Sequence, residues 1–172
     1  MIMDTVSIQS PKYKLNDKWN LYYHLPDDKN WDISSYTIIL EDIHSAEEVI
    51  SINEILPEPV IKSCMLFLMR SHIKPIWEDP NNRSGGCFSY RVTNKLVPEV
   101  WKNLCYLSCG ESLSAKCEFS KHINGITISP KKNFCIIKIW LDTISFQDPV
   151  FIRHIINLPI KGCLFKKHEP EF

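Results

Sequence analysis

The residues best suited to chemistry lie in one short segment, residues 74–79, with the sequence KPIWED. Trp77 offers an aromatic face and Glu78 offers two acceptor oxygens, so the pair can hold a flat ring with hydrogen-bond donors along one edge. Pro75 and Pro80 disfavour a helix here, which predicts a loop. The plainer interpretation is that Trp77 anchors this loop and Glu78 is a solvated charge.

Guanine methylated at N7 is one ligand that fits the functional interpretation. Its ring is cationic and electron-poor, which favours stacking on an indole. Its N1–H and N2–H2 groups form a donor edge that a carboxylate can accept. One indole beside one carboxylate is a weak pattern by itself, so the hypothesis depends on residues elsewhere in the chain.

The overall composition limits the kind of partner that the protein can attract. The chain has 172 residues, a length typical of one domain with a sizeable core. Its 20 basic residues balance its 20 acidic ones, so the whole molecule has no net attraction for nucleic acid. Any contact with RNA is therefore expected at a local pocket rather than along a basic stripe.

The cysteines and the hydropathy pattern favour the cytoplasm. The seven cysteines are odd in number and show no disulfide-framework spacing. No signal peptide and no apolar run of about 18 residues is recognised, so neither secretion nor a membrane span is predicted.

Neither a cofactor nor catalysis is predicted. A zinc site could be drawn from Cys105, Cys109, Cys117 and His122, but their spacing matches no CxxC knuckle. No motif places a cysteine beside a histidine as an activated nucleophile. The expectation is a protein that is not an enzyme and has no metal or other cofactor.

The order of predicted elements indicates the α+β class. Residues 1–12 are unpatterned and predict a flexible tail, and residues 13–172 predict a single domain. Strands are predicted at residues 18–24, 36–40, 60–69, 87–92, 123–129, 134–140 and 160–165. Helices are predicted after a Ser45–Glu48 capping box, at residues 99–108 before a left-handed Gly110 cap, and at residues 149–156. Hairpins outnumber βαβ crossovers, which favours a mostly antiparallel sheet with helices on one face.

Five segments, taken in order, resemble the eukaryotic translation initiation factor 4E family of mRNA cap-binding proteins. They are KWNLYY at 18–23, KNW at 29–31, PIWED at 75–79 with the Gly-Gly at 85–86, VW through LSCGES at 100–112, and IKIW at 137–140. The resemblance implies a curved, mostly antiparallel eight-stranded sheet with three helices packed on its convex face. It also implies that residues 13–172 form one cap-binding domain.

The resemblance assigns roles to four residues at the cap base. Trp31 and Trp77 match the two indoles that sandwich 7-methylguanine in this family. Glu78 matches the carboxylate that accepts from the base edge, and Trp140 matches the indole beside the N7-methyl group. Trp140 is expected equally as a core residue.

The match is weaker for the phosphates of the cap. Lys131 matches one family cation, with Lys132 beside it, and Arg83 is a further candidate. The other two family cations fall here on Ile136 and Cys87, which carry no positive charge. Phosphate binding is therefore expected to depend on Lys131, Lys132 and Arg83, or to be weaker.

The resemblance also implies a partner surface on the first two helices of the family fold, where a 4G-type scaffold or a repressor binds. The matching residues are Leu15, Ala46, Ile50, Lys102, Tyr106, Gly110 and Glu111. Ile50 replaces a tryptophan of the family and Lys102 replaces a leucine, so a non-standard partner is expected.

Three functional hypotheses remain open at this point. The chain binds the mRNA cap in translation initiation or its control, it is a cap-binding repressor that does not engage the usual scaffold, or it is an interaction or decoy protein that keeps the fold without cap affinity. The missing cations favour the last hypothesis, and Trp31, Trp77 and Glu78 oppose it.

Overall fold

Seven antiparallel strands form one sheet in the computed structural model, which describes residues 10–170. They are β1 (Lys14–His24), β2 (Thr37–Ser45), β3 (Met65–Arg70), β4 (Gly86–Thr93), β5 (Ile123–Pro130), β6 (Phe134–Leu141) and β7 (Leu164–Lys167). Their order across the sheet is β2-β1-β3-β5-β6-β4-β7. Every neighbouring pair is antiparallel, so the predicted α+β class and curved antiparallel sheet are confirmed.

Four α-helices accompany the sheet within the described residues: α1 (Ala46–Ile55), α2 (Glu58–Ser63), α3 (Val97–Cys109) and α4 (Cys117–Ser120). The predicted capping box opens α1, because the Ser45 hydroxyl accepts from the Glu48 N–H and the Glu48 carboxylate accepts from the Ser45 N–H at 2.9 Å. Burial of Glu48 disfavours its charge, but the hydrogen bonds from His44 and Ser45 outweigh that effect and lower its pKa.

The alternation of side chains along the strands gives the sheet two different faces. The face covered by the helices, here called the helix face, holds the larger core, in which Leu68 and Ile137 pack with Trp101 of α3. The opposite face, here called the open face, carries a smaller cluster of buried side chains: Tyr22, Phe67, Met69, Ile73, Cys87 and Trp140. Tyr36, Met65 and Trp77 pack against this smaller cluster.

The element count differs from the prediction of eight strands and three helices. Residues 60–69, predicted as one strand, divide into the end of α2 and strand β3, because a short apolar run does not distinguish a buried helix from a buried strand. The helix predicted at 149–156 is only a 3-10 turn, Pro149–Phe151. The last strand starts at Leu164 rather than at residue 160.

The end of α3 also differs from the prediction. Gly110 has a φ of −83°, outside the left-handed region, and Glu111 has the positive φ of 53° instead. The Glu111 carboxylate accepts two hydrogen bonds from the buried Arg70 guanidinium, at 2.6 and 2.8 Å. This bidentate pair stabilises a backbone conformation that a non-glycine residue seldom adopts.

The predicted tail lies mainly outside the described residues, which begin at Ser10. At its described end, the backbone N–H groups of Lys12 and Tyr13 donate to the Glu47 carboxylate at 3.0 and 3.2 Å. The chain is thus attached to α1 from Lys12 onward, and the boundary at residue 12 stays a prediction.

Residues 10–170 contain neither a candidate membrane span nor a cluster of metal-ligating side chains. No helix in this part of the chain is long and apolar enough to cross a membrane. No group of three or more potential metal-ligating side chains is found there, and Cys105 and Cys109 lie buried in α3.

Candidate functional site

Seven aromatic rings on and beside the open face form one continuous chain of contacts. In order they are Trp31, His24, Tyr36, Phe67, Trp140, His168 and Trp77, with neighbouring centroids 4.5 to 6.4 Å apart. The two ends of this chain are Trp31 and Trp77, the two indoles that the sequence singled out. The structure therefore joins residues from distant loops into one aromatic surface.

Trp31 is fixed from behind by His24, at the end of β1. The two rings are stacked, with centroids 4.5 Å apart and planes inclined by 8°. His24 is fully buried, and its Nε2 atom lies 2.8 Å from the Asn30 carbonyl and 3.1 Å from the Ser35 hydroxyl. Trp31 itself remains 50% exposed, so it presents an accessible aromatic surface.

Trp77 is fixed from behind by His168, which follows β7. Their centroids lie 5.7 Å apart and the planes are inclined by 16°. His168 Nδ1–H donates to the Asn82 carbonyl at 2.7 Å, and its backbone N–H donates to Gly85 at 3.0 Å. Burial lowers the pKa of His168, and the positive charge of Lys138 lowers it further, against the opposing effect of the bond to Asn82. The ring is therefore neutral at physiological pH.

A buried polar network shapes the loop that carries Trp77. The Asn82 amide is fully buried and donates to the carbonyls of Lys74 and Ile76 at 2.9 and 2.8 Å. It also accepts from the Asn124 amide of β5 at 2.8 Å. The Asp79 carboxylate accepts from the Lys74 N–H at 2.9 Å. These bonds replace secondary structure and fix the backbone on both sides of Trp77.

Glu78 is half-buried in the same loop, and its negative charge affects the Tyr36 hydroxyl of the aromatic chain. Burial raises the pKa of the Tyr36 hydroxyl, and the negative charge of Glu78 raises it further. Tyr36 in turn lies 4.8 Å from His24 and 5.1 Å from Phe67, measured between ring centroids. The Glu78 carboxylate thus lies within electrostatic reach of the middle of the aromatic chain.

Trp140 forms the floor of this surface. It is buried in the open-face cluster, and its Nε1–H donates to the Thr127 hydroxyl at 3.2 Å. Its ring contacts Phe67 and His168, so it connects the two halves of the aromatic chain. The expected core role is thus present, and a contact with a bound ligand stays a prediction.

Two of the three predicted phosphate-binding cations, Lys131 and Lys132, lie far from Trp140 along β6. Lys131 and Lys132 are exposed in the turn between β5 and β6, where the Lys131 N–H donates to the Phe134 carbonyl. Phe134 and Trp140 are six positions apart on β6, a distance of about 20 Å. Arg83 lies in the Trp77 loop and is also exposed.

The predicted partner surface is only partly available. Ile50 of α1 is 44% exposed, and Lys102 of α3 is exposed with its Nζ atom 6.0 Å from the Tyr106 ring centroid. Leu15 is half-buried and packs against the helix-face core. The Ala46 N–H donates to the carbonyl of Tyr13, the residue before β1, at 2.9 Å. Gly110 is exposed.

Glu111 is a predicted partner residue whose charged group has an internal role. Its carboxylate binds Arg70, which also contacts Asp17 at 3.0 Å and the face of Trp19 at 4.8 Å. Burial disfavours the charge of Arg70, but the hydrogen bonds and charges of Glu111 and Asp17 outweigh it and raise its pKa. Glu111 therefore stabilises the fold rather than offering a free carboxylate at the surface.

Sequence reasoning missed the residues that hold the two indoles in place. His24 and His168 were not distinguished from other polar residues, because stacking behind an indole has no spacing signature. Asn82 and Asp79 had a weak signal, since the run DPNN at 79–82 is rich in residues whose side chains bond to nearby backbone.

Comparison with known proteins places these features in a family. The family model described as eukaryotic initiation factor 4E matches residues 14–169. The factor from Eremothecium gossypii is 30% identical over 146 residues, covering 77% of this chain and 64% of that protein. A homologue from Acanthamoeba polyphaga mimivirus is 42% identical over 82 residues, covering 48% of this chain and 27% of that protein.

A solved structure agrees with these sequence relatives. The schistosome factor 4E, complexed with m7GpppA and a 4E-binding protein, has a TM-score of 0.69 and 25% identity, covering 80% of this chain and 75% of that one. The chain spans less than two-thirds of the length of the first two sequence relatives. Since the family model covers most of its residues, the chain belongs to the eukaryotic initiation factor 4E family.

Proposed function

We propose that this protein binds the 7-methylguanosine cap of mRNA and acts in translation initiation or its control. The observation that carries the proposal is the aromatic chain that ends in Trp31 and Trp77 with Glu78 beside it. Family membership supports it, as does the cap analogue bound to the schistosome relative.

The proposed chemistry divides recognition between faces and edges of the base. Trp31 and Trp77 stack on the two faces of the methylated ring, and stacking contributes about 1–3 kcal/mol per base. The positive charge of the ring adds a cation–π contribution of roughly 2 kcal/mol when desolvated. Glu78 accepts from N1–H and N2–H2, in charge-assisted bonds of about 1.5–3 kcal/mol each. The Trp77 backbone N–H reaches O6, and Trp140 lies beside the methyl group.

The two histidines behind the indoles support this chemistry by limiting the cost of binding. Each indole already has a fixed neighbour on one side, at 4.5 Å for Trp31 and 5.7 Å for Trp77. A ring that is held in place loses less conformational freedom when a ligand stacks on it. A neutral His168 also places no competing positive charge behind Trp77.

Retention on 7-methyl-GTP resin tests the proposal. We expect wild-type protein to bind the resin and to be eluted by free 7-methyl-GTP but not by GTP. A Glu78→Ala variant should pass through, whereas Glu54→Ala, at an exposed site on α1, should be retained like wild type. Failure of folded wild-type protein to bind would instead support the decoy hypothesis, which the uncharged Cys87 and Ile136 favour.

We also propose that α1 and α3 bind a partner helix that differs from the usual scaffold or repressor helix. Exposed Ile50 offers apolar surface but no indole N–H, and it lacks the aromatic ring that often dominates an interface. Lys102 places a charge nearby, and burying it unpaired is costly, although its stem can lie along an apolar surface. A dedicated partner is therefore expected to carry an acidic residue opposite Lys102.

Calorimetry with a Tyr-x-x-x-x-Leu peptide tests this partner surface. We expect weak binding to wild type and a gain of about 1–3 kcal/mol for each change in an Ile50→Trp/Lys102→Leu variant. Nanomolar binding to wild type, with no gain in the double variant, would contradict the proposed difference in partner.

A further inference from the structure

Two lysines on the open face lie on either side of Cys87. In the sheet register, Cys87 of β4 is opposite Trp140 of β6 and opposite Lys166 of β7. Two residues further along β4, Ser89 is opposite Lys138 of β6. The two lysines therefore occupy the strands that flank the same short segment of β4.

The alternation along each strand directs both side chains to the open face. On β6, the neighbours Ile137 and Ile139 pack in the helix-face core, so Lys138 projects to the opposite side with Trp140. On β7, Phe165 packs against the helix-face core, so Lys166 likewise projects to the open face.

The spacing places both lysines close to the floor of the aromatic surface. Lys138 is two positions from Trp140 on one strand, which corresponds to about 7 Å. Lys166 is two strands away in the same row, or roughly 10 Å, since adjacent strands lie about 4.8 Å apart. A lysine side chain spans several more ångströms, so both ammonium groups can reach an anion above Cys87.

The electrostatics of neighbouring groups agree with this placement. Burial raises the pKa of the Cys87 thiol, while the charges of Lys138 and Lys166 both act to lower it. Lys138 also contributes to the lowered pKa of His168. Within residues 10–170 neither lysine takes part in an ion pair, and Lys138 is half-buried while Lys166 is exposed, so two positive charges face the open side without a counter-ion.

We propose that Lys138 and Lys166 bind the phosphate chain of the capped ligand and replace the cations that Ile136 and Cys87 do not supply. This assignment rests on the proposed cap-binding function. The base lies at Trp140 and the phosphates extend over Cys87 between β6 and β7. Lys131 and Lys132, about 20 Å along β6 from Trp140, make at most a secondary contribution.

Calorimetric titration of 7-methylguanosine, 7-methyl-GMP and 7-methyl-GTP separates the base from the phosphates. The test variant is Lys138→Met/Lys166→Met, because methionine keeps most of the apolar stem and removes the charge. The matched control is Lys121→Met/Lys167→Met, which removes the same net charge from exposed residues. Lys167 is the neighbour of Lys166 on the same strand and projects the other way. A Lys131→Met/Lys132→Met variant tests the rival location.

For 7-methyl-GTP, we expect the test variant to bind about 30- to 100-fold more weakly, a loss of roughly 2–3 kcal/mol at 1.4 kcal/mol per factor of ten. Its affinity for the nucleoside should stay within about threefold of wild type, and the loss for the triphosphate should shrink in high salt. The control should match wild type, and the rival variant should lose less than the test variant.

Three results would overturn the assignment. They are an unchanged triphosphate affinity in the test variant, an equal loss in the control variant, and a larger loss in the Lys131/Lys132 variant. Failure of the proposed function itself gives a different result, namely that folded wild type does not bind even the nucleoside. Thermal unfolding of each variant shows whether a loss reflects the fold.

Discussion

The loops that carry Trp31 and Trp77 are held in place in different ways. Behind Trp31 stands a histidine of strand β1, and the loop around it is exposed and held by a few bonds near Asn30 and Ser35. Behind Trp77 stands a histidine from the C-terminal segment, and the loop around it is held by buried Asp79 and Asn82.

This difference implies that the two loops differ in rigidity. Buried hydrogen bonds in a low-dielectric site fix geometry strongly, because leaving any of them unmade is costly. The Trp77 loop, which also carries Glu78, is therefore the more rigidly held of the two. The Trp31 loop is exposed and has fewer buried bonds, so we expect it to be the more mobile of the two.

The largest expected effect is on the stability of the Trp77 loop. Asn82→Ala removes the side-chain donor to the carbonyls of Lys74 and Ile76 and one of the two acceptors of the Asn124 amide, which keeps its bond to the Asn81 carbonyl. Each polar group that is left unpaired in a buried site costs about 1–3 kcal/mol. We expect a loss of about 3–5 kcal/mol in the free energy of unfolding, measured by urea titration. The matched Asn30→Ala change, at an exposed residue of the Trp31 loop, should cost less than about 1 kcal/mol. Similar losses for both would remove the contrast between the loops.

The next effect concerns affinity rather than stability. Glu78→Ala should weaken 7-methyl-GTP binding by about 2–4 kcal/mol, because charge-assisted bonds are lost and the base edge is left unpaired. Calorimetry measures the loss, with Glu54→Ala as the control. A loss below about 0.5 kcal/mol would mean that another residue reads the base edge.

Much of this arrangement could be predicted from the sequence, and the reasons for the remainder are physical. The Ser45–Glu48 capping box has a fixed spacing, so a local pattern predicts it. Trp31, Trp77 and Glu78 belong to short motifs with their own residue types, so the sequence marks them as candidates, and the structure places the two indoles at the ends of the aromatic chain. His24 and His168 act through contacts across the sheet that no local pattern records. The sequence does not single out Lys138 for the same reason, because only the register of β4 and β6 shows that Lys138 lies opposite Ser89, close to Cys87.

A smaller loss of affinity is expected when the ring behind Trp31 is removed. His24→Ala removes the stacked ring and its bonds to the loop, so we expect 7-methyl-GTP affinity to fall by about 1–2 kcal/mol, while His24→Phe, which keeps a flat ring, should lose less. Calorimetry compares the two. If His24→Ala binds like wild type, the stack behind Trp31 is not needed for its role.

The smallest effect is a dependence of stability on pH. The pKa of His168 lies below its ordinary value of 6.5, so as the pH falls below 6.5 the unfolded chain takes up a proton that the folded chain does not. The stability contributed by neutral His168 is present above pH 6.5 and is lost as the pH falls towards its lower folded-state pKa. Unfolding measured between neutral pH and about pH 5 should show a shallower decline in His168→Gln than in wild type. Parallel profiles would show that His168 does not titrate as described.

The central claim is that Trp31 and Trp77 bind a methylated, positively charged guanine between them. Intrinsic tryptophan fluorescence during titration of wild-type protein with 7-methyl-GTP and with GTP tests it most directly, because the two ligands differ only at N7. The account predicts strong quenching by 7-methyl-GTP and far weaker quenching by GTP at the same concentration. Equal quenching by both nucleotides would contradict it.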